Sequence, residues 1–450
     1  MADTLSNERP KRSVYYSTTC QGLILGGVAF FGPGMYNALS GLGAGGLASA
    51  TVWNQATAIL FTFLCVTCVF APIVINQFQI RWSIAIAACS YTIYAASLYT
   101  NSKNGNTWFL ILANVINGIG SGLFFAGEGA AVVGYPEPSR RGRMISVWVF
   151  CRNLGPIIGG AILLGLNIQT DGTGSISLNS FAVFVGLTCA APLVALLIAP
   201  AEKVQRKDGS QVIMHKTTWR NELKASWRHL SSRKVLLLCP LLFTSWFADS
   251  GVSTYNATYY TVRTRAFSSF LTPFAGNVAS ILTGTFLDSK LSTRRTRALA
   301  GLAFFFLLDL GMWAFLAANT AHYKSLAVAP KFDWSSSGFG RAYLYTFFRN
   351  FEELGVQSYL YFLMGTLTDD LQELVHLTGI LRGIEGAGQA VSYGISGSSA
   401  STWVSIGLGF GLVLVSYPLA YFAIRDIEES SSPQVEQAEE DSFDKADLEA

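Results

Sequence analysis

Charged side chains are scarce in this sequence. Its 450 residues include 31 Lys and Arg and 28 Asp and Glu, together 13% of the chain, whereas a soluble domain carries about a quarter. This deficit argues against a soluble enzyme, a disordered chain and a nucleic-acid-binding protein. Histidine is rarer still, with four residues, and the sequence has no phosphate-binding loop, zinc-hydrolase pair or nucleophile elbow. We therefore expect neither an enzyme nor a bound cofactor or metal.

Cysteine is present without a metal-binding or redox pattern. All seven cysteines fall inside apolar stretches, and no histidine or second CxxC stands at ligand spacing. Cys65 and Cys68 have no polar, cationic surroundings that would activate a thiol, so we interpret them as lipid-facing or packing residues.

Long hydrophobic runs account for most of the chain. A membrane span needs about 20 mostly apolar residues, and twelve runs meet that need, near 14–40, 52–76, 82–100, 107–134, 144–168, 180–200, 235–261, 267–288, 298–319, 340–366, 372–398 and 402–424. Backbone groups cannot stay unpaired in lipid, so such runs must be helices. The sequence predicts an all-α membrane protein of twelve transmembrane helices.

The predicted spans divide into two halves of six. The halves cover 14–200 and 235–424 and are separated by a basic linker, 201–234, while 1–13 and 425–450 form tails. The last 26 residues hold ten acids and are poor in large apolar residues, so we expect a disordered tail. Linker apolar residues recur at helical spacing beside a basic face: Trp219, Leu223, Trp227 and Leu230, with Arg220, Lys224 and Arg228. This pattern indicates an amphipathic helix on the membrane surface, with a solvated linker helix as the alternative.

Basic residues predict the orientation of the chain. With a cytoplasmic N-terminus, 22 basic residues fall on the inner side and six fall outside: Lys103, Arg263, Arg265, Lys324, Lys331 and Arg341. This excess of positive charge indicates that both termini are cytoplasmic.

Several motifs together resemble the major facilitator superfamily, and more specifically its uncoordinated-93-like family in fungi. In the first half they are GEG at 127–129, the turn Tyr135, Pro136, Glu137 with RGR at 141–143, and Asn153, Gly155, Gly159 and Gly160. In the second half they are SWF at 245–247, NATYY at 256–260, RTRA at 263–266, FLMGTLTDD at 362–370 and GIEGAGQAVSY at 383–393. The resemblance covers the twelve spans and omits both tails.

This resemblance implies a two-halved transporter fold with cytoplasmic gating loops and a central cavity. GTFLDSKLSTRR at 284–295 is similar to the superfamily's gating loop, with Asp288, Lys290, Arg294 and Arg295 as its working parts, and Glu137 and Arg141 are gate candidates in the first half. GPIIGG at 155–160 resembles the glycine-proline motif of the fifth span. There Gly155, Pro156, Gly159 and Gly160 would let two helices approach and bend.

Charged residues inside spans are candidate binding groups because each costs about 2.5–3.5 kcal/mol at mid-membrane. The candidates on spans that the resemblance makes cavity-lining are Glu128, Arg152, Asp249, Arg349, Glu352, Glu353, Arg382 and Glu385. Glu128 and Arg152 are predicted at similar depth and able to pair, either as a structural salt bridge or as a gate or ligand. Asp309 on the ninth span is interpreted as a packing partner.

The acids of the tenth and eleventh spans are expected to meet near the midplane. Arg349 with Glu352 and Glu353, and Arg382 with Glu385, stand at helical spacing, so each helix can neutralise part of its charge. Three acids against two bases leave one carboxylate for a proton or cation, with a neutral hydrogen-bonded acid as the alternative. Glu385, flanked by Gly383 and Gly386, is the leading candidate.

Two functions remain open from the sequence. The first is alternating-access transport of a small solute, with proton coupling as an option. The second follows from the resemblance, because relatives in that family act as regulatory subunits of channels or as trafficking partners of other membrane proteins. In either case the bilayer is the surrounding medium and no nucleic acid is expected.

Overall fold

A computed structural model describes residues 13–136, 141–206, 219–289, 292–368 and 371–425. The helices are α1 (Thr18–Ala29), α2 (Met35–Gly41), α3 (Ala50–Asn104), α4 (Thr107–Gly134), α5 (Arg141–Asn167), α6 (Leu178–Ala195), α7 (Trp219–Leu230), α8 (Arg233–Thr244), α9 (Asp249–Tyr259), α10 (Val262–Asp288), α11 (Arg294–Lys324), α12 (Phe339–Gly365), α13 (Leu371–Ser396) and α14 (Thr402–Ile424). The predicted all-α fold is confirmed.

These helices make twelve passes, which we number as spans. Span 1 is α1 with α2, spans 2 and 3 are the two parts of α3, spans 4–6 are α4–α6, span 7 is α8 with α9, and spans 8–12 are α10–α14. In the described part of the chain, nine segments are long and apolar enough to cross a membrane by composition alone. Spans 3, 10 and 11 are not among them, and spans 10 and 11 are helices that hold buried charges of the second half.

Spans 2 and 3 are joined by a single non-helical residue. Gln79 has φ 64° and ψ 152°, a backbone conformation that residues other than glycine rarely adopt. The two parts of α3 lie side by side, as shown by a hydrogen bond from the Trp53 indole N–H to the Tyr94 hydroxyl at 3.2 Å. The chain therefore reverses here without a loop that could hold a gating motif.

Two spans are interrupted near their middle. Span 1 passes through a π-helical turn, Phe30–Gly34, that contains Pro33. Span 7 breaks between Thr244 and Asp249, so Asp249 lies in the first turn of α9. A carboxylate is favoured at a helix N-terminus, and discontinuous helices are where transporters expose polar groups to a binding site.

The linker marks one side of the helix bundle, which we call the linker side, and the opposite side is the far side. The first described residues lie on the linker side, since the Tyr15 hydroxyl donates to the Leu197 carbonyl oxygen at 2.6 Å. Helix α7 lies there against span 11, with Arg228 bonded to Glu373 at 2.9 Å and Trp227 exposed.

The sequence predicts Arg265 in an outer loop, and this prediction is wrong because Arg265 lies inside a helix. Helix α10 begins at Val262, five residues before the predicted start of that span, and Arg265 is 2% exposed. The physical reason is that backbone carbonyl oxygens inside the bundle accept hydrogen bonds from its guanidinium and replace water around the buried charge.

Candidate functional site

A cavity of about 1650 Å³ lies between the two halves. It is lined by spans of both halves and continues to the linker side, where Arg206, Lys224 and Arg228 line it. Of the sequence candidates, Glu128, Arg152, Asp249, Glu353, Arg382 and Glu385 line this cavity.

The far side of the cavity is closed by bonds between the halves. Arg265 on span 8 donates to three carbonyl oxygens of the loop after span 1, those of Leu42 (2.8 Å), Gly43 (2.6 Å) and Leu47 (3.2 Å). It also donates to the Gly174 carbonyl oxygen at 2.8 Å. We call this set the far-side latch. It joins first-half loops to a second-half helix without a carboxylate.

Further bonds reinforce this closure. The Asn54 amide donates to the Thr254 hydroxyl at 2.9 Å, and the Gln55 amide donates to the Gly397 carbonyl oxygen at 2.7 Å. The Ala44 N–H donates to the Ser253 hydroxyl at 2.9 Å. The cavity is therefore sealed on the far side and extends toward the linker side.

Two arginines from opposite halves contact the same aromatic ring in the cavity lining. The Arg152 guanidinium lies 5.6 Å from the ring centroid of Phe125, and the Arg382 guanidinium lies 5.4 Å from the same centroid. Arg152 also lies 5.3 Å from the Trp148 ring centroid. Cation–π contacts of this kind orient the guanidinium while leaving its N–H edge available.

Glu128 does not pair with Arg152, which corrects the sequence prediction. Among the described residues no ion pair joins them; instead Glu128 Oε1 accepts from the Trp148 indole N–H at 2.6 Å. Trp148 is one turn before Arg152 on α5 and occupies the position of the expected partner. Arg152 thus has no carboxylate or hydrogen-bond acceptor in the described part of the chain.

Arg382 is held by its own half. Its Nη1 donates to Glu385 Oε2 at 3.0 Å, and with the Gln357 amide oriented so that its oxygen faces the guanidinium, that oxygen accepts at 2.7 and 3.2 Å. Glu385 Oε1 is buried with no hydrogen-bond partner in the described chain.

Asp249 and Glu353 form a second acidic group deeper in the cavity. Asp249 Oδ2 accepts from the Gln389 amide at 3.1 Å and from the Tyr393 hydroxyl at 2.9 Å. Glu353 is 4% exposed and its Oε1 has no partner among the described residues. Within that part of the chain, neither carboxylate lies within ion-pair distance of a lysine or arginine.

Arg349 and Glu352 lie outside the cavity, so the expected convergence of Glu352, Glu353 and Glu385 is wrong for Glu352. Arg349 Nη1 contacts Asp309 Oδ1 on span 9 at 2.7 Å and Glu352 Oε2 at 2.9 Å. Glu352 and Glu353 are adjacent, so a helix directs them about 100° apart, and only Glu353 turns to the cavity. Asp309 contacts Arg349 between spans 9 and 10 and takes no part in the cavity lining among the described residues.

The gate candidates show no carboxylate–arginine contact in the part of the chain that is described. Asp288 is exposed at the end of α10, and within the described residues it makes no ion pair. Arg294 instead donates to the Gly365 carbonyl oxygen at 2.9 Å, at the C-terminus of α12, and Arg295 is exposed. Glu137 and Lys290 lie outside the described residues, and of Arg141 only the backbone, in α5, is described.

The glycines of span 5 lie at helix crossings. A Cβ at Gly155 would stand 2.6 Å from Gly34 Cα on span 1, and one at Gly159 would stand 2.6 Å from Ala38 Cβ. A Cβ at Gly160 would stand 2.6 Å from Phe270 Cα on span 8, in the other half. Pro156 lies between them inside α5 and lines the cavity.

Several site residues were not predicted. They are the aromatic and amide groups that hold the charges, namely Phe125, Trp148, Gln357, Gln389 and Tyr393, together with Arg265. Gln389 and Tyr393 follow Glu385 at four and eight residues, so a helical-face count from that acid would have found both.

Comparison with known proteins agrees with this architecture. Residues 14–367 match the family model described as Major Facilitator Superfamily. The chain is 36% identical to "Notoamide biosynthesis cluster protein O'" of Aspergillus versicolor, covering 90% of this chain and 89% of that one. It is 31% identical to "UNC93-like protein 1" of Arabidopsis thaliana, covering 93% of each.

A solved structure shares the fold at low identity. The partially occluded inward open conformation of the xylose transporter XylE from E. coli matches with a TM-score of 0.64 and 14% identity, over 93% of this chain and 99% of that one.

Proposed function

Because the chain belongs to the major facilitator superfamily and, within it, to the UNC93-like proteins, we propose that it transports a small solute by alternating access. The observation that carries this proposal is the cavity of about 1650 Å³ between the halves, lined by charges from both and latched on the far side. A solute bound there contacts both halves, so its binding favours one arrangement of them over the other.

The proposed cycle exchanges two closures. In the present state the far-side latch holds, and the cavity extends to the linker side. In the opposite state Arg265 releases the Gly43 carbonyl oxygen, and the linker ends of spans 2, 4, 5, 8, 10 and 11 close together. The two halves rock as units because each has its own packed hydrophobic core.

Proton coupling in this proposal rests on Glu353 ahead of Glu385. Both have an unpartnered buried oxygen among the described residues, but Glu385 is held by Arg382, while in that part of the chain Glu353 has no base within ion-pair distance. A buried carboxylate with no base beside it takes up either a proton or a cationic group, and the two compete for it. Glu353→Gln is expected to abolish pH-driven accumulation, and Glu385→Gln to leave part of it. Equal pH dependence in wild type and Glu353→Gln would remove Glu353 from this role.

The proposed orientation places the linker side in the cytoplasm, since that side holds most of the basic residues. In a protease-protection assay, a tag after Ala450 and one within 205–215 should both face the cytoplasm. Either tag found on the lumenal or extracellular face would contradict this topology.

Purified full-length protein in liposomes provides the test of transport. Uptake of a panel of sugars, organic acids, amino acids and amines is expected for at least one class, and should fall at least tenfold in the Asp249→Asn, Arg152→Gln double variant. Empty liposomes and an exposed double variant, Arg233→Gln with Glu202→Gln, are the controls. No uptake of any class, together with a stoichiometric membrane protein that co-purifies, would favour a regulatory or trafficking subunit instead.

A further inference from the structure

We infer that the solute is zwitterionic, with a carboxylate bound by Arg152 and Arg382 and a cationic group bound by Asp249 and Glu353. This inference rests on the proposed transport function and names the substrate class of that cavity. Its basis is the placement of two incompletely paired groups in the cavity lining. Arg152 packs on aromatic rings with no acceptor among the described residues, and Glu353 Oε1 is buried without a partner there.

The positive pole is centred on Arg152. Its guanidinium packs on Phe125 and Trp148 and has no acceptor in the described chain, while Glu128 and Glu385 are already bound by Trp148 and Arg382. Leaving a partly buried guanidinium without an acceptor is costly, and a carboxylate matches its planar edge with two parallel hydrogen bonds. Arg382, on the same ring from the other half, adds a second positive charge.

The negative pole is Asp249 with Glu353. Two bonds fix Asp249 Oδ2, which aims the group, and Glu353 Oε1 is buried without a partner in the described residues. Arg349, one turn before Glu353, is committed to Asp309 and Glu352. A primary amine in this place supplies the missing donors and the missing positive charge.

The helices set the distance between the poles. Arg382 and Gln389, which binds Asp249, are seven residues apart on α13, or about 10 Å along the helix. Glu353 and Gln357, which binds Arg382, are four residues apart on α12, or about 6 Å. A solute whose amine and carboxylate are separated by that range reaches both poles, whereas an α-amino acid such as glycine reaches one.

The aromatic lining favours an extended, partly apolar body between the charges. Tyr36, Phe61, Tyr361 and Phe125 line the cavity, and Phe125 and Tyr361 lie against the Arg382 guanidinium. Methylene groups of the solute that pack against these rings are removed from water, which favours binding and needs no hydrogen-bond partner.

Binding is tested on the detergent-purified full chain with linear ω-amino acids from glycine to 8-aminooctanoate. The readout is the shift of unfolding temperature with probe concentration, which needs no transport. Hexanoate and hexylamine are the single-charge controls for 6-aminohexanoate. We expect an optimum at intermediate length and an apparent affinity at least tenfold above that of either control.

Variants assign the poles. Arg152→Gln should reduce the affinity for 6-aminohexanoate about tenfold or more and leave the affinity for hexylamine unchanged, because a charge-assisted bond pair is lost. Asp249→Asn should likewise reduce the affinity for 6-aminohexanoate, but leave the affinity for hexanoate unchanged. Exposed Arg233→Gln and Glu202→Gln are matched charge controls. If a variant fails to fold, the length series on wild type still decides.

Two results would overturn the inference. One is equal binding of hexanoate and 6-aminohexanoate, which would make the acidic pole idle. The other is no length dependence. If either result is found while some other solute class is taken up in liposomes, the zwitterion inference fails and transport stands. If these zwitterions bind as expected but no solute is ever transported, the proposed function fails instead.

Discussion

Arg265 on span 8 donates to the carbonyl oxygen of Gly43, in the loop after span 1, at 2.6 Å. Gly43 has φ +73°, and a Cβ there would stand 2.6 Å from the Ser253 carbonyl oxygen on span 7. The loop therefore needs glycine both for its left-handed backbone and for its close approach to the second half. The guanidinium and the glycine together make the far-side closure.

Replacing Arg265 with Gln should open this closure. Four carbonyl oxygens lose a charged donor, and a loss of about 3 kcal/mol or more in stability is expected because buried acceptors stay unsatisfied. Hydrogen–deuterium exchange followed by mass spectrometry should show faster exchange in the peptide that covers 41–49. Exposed Arg341→Gln, on the same side, is the matched control. Unchanged exchange in the Arg265 variant would show that the latch does not hold the far side.

The Arg349 triad should behave as a structural unit. Arg349→Gln leaves Asp309 and Glu352 buried without a base, which should cost about 3–5 kcal/mol, while Asp309→Asn should cost less because Glu352 still pairs with Arg349. In a double-mutant cycle the combined variant should cost less than the sum of the two. Unfolding temperatures in detergent measure this, and strict additivity would contradict the contact.

Glu128 should couple to Trp148 instead of Arg152. Trp148→Phe removes the N–H that Glu128 Oε1 accepts at 2.6 Å, so its effect and that of Glu128→Gln should be non-additive by about 1 kcal/mol or more. The parallel cycle of Glu128→Gln with Arg152→Gln should be closer to additive. A larger coupling between Glu128 and Arg152 than between Glu128 and Trp148 would instead support a salt bridge of Glu128 with Arg152.

Hydrophobic runs allowed the helices to be predicted well because the bilayer enforces a length and a helical backbone on each. The predicted span 107–134 coincides with α4, and 402–424 with α14. Which way a charge faces is set by neighbours far along the chain, and no periodicity carries that information. Glu352 and Glu353 illustrate it: the same helix sends one to Arg349 and the other to the cavity.

Asp333 should make stability depend on pH in the acid range. It lies in the far-side loop between spans 9 and 10, and the bidentate pair with Arg263, at 2.6 and 2.7 Å, holds the pKa of this carboxyl far below its usual range. A pKa lowered by folding stabilises the protein above the unfolded value of about 3.9 and loses that contribution as pH falls through the folded value. The difference in unfolding temperature between wild type and Asp333→Asn should be full at pH 7 and shrink below about pH 4.

The control for this experiment is Glu202→Gln, an exposed carboxylate on the linker side. Its difference from wild type should stay small across the same range. An Asp333→Asn difference that grows on acidification would mean that the charged pair with Arg263 does not stabilise the fold.

Gly160 tests the contact between the halves with a single methyl group. A Cβ there would stand 2.6 Å from both Phe270 Cα and the Ser269 carbonyl oxygen, which are backbone atoms of span 8 and cannot rotate away. Spans 5 and 8 would have to separate, so Gly160→Ala should cost about 1–3 kcal/mol despite the better helix propensity of alanine. Gly165, five residues later on α5, offers the control, because a Cβ there would meet no described atom within 4 Å. Gly165→Ala should therefore be neutral or gain up to about 1 kcal/mol from propensity alone. If both alanines have the same effect on unfolding temperature, the halves do not meet at Gly160, and the span 5 glycines serve only packing within their own half.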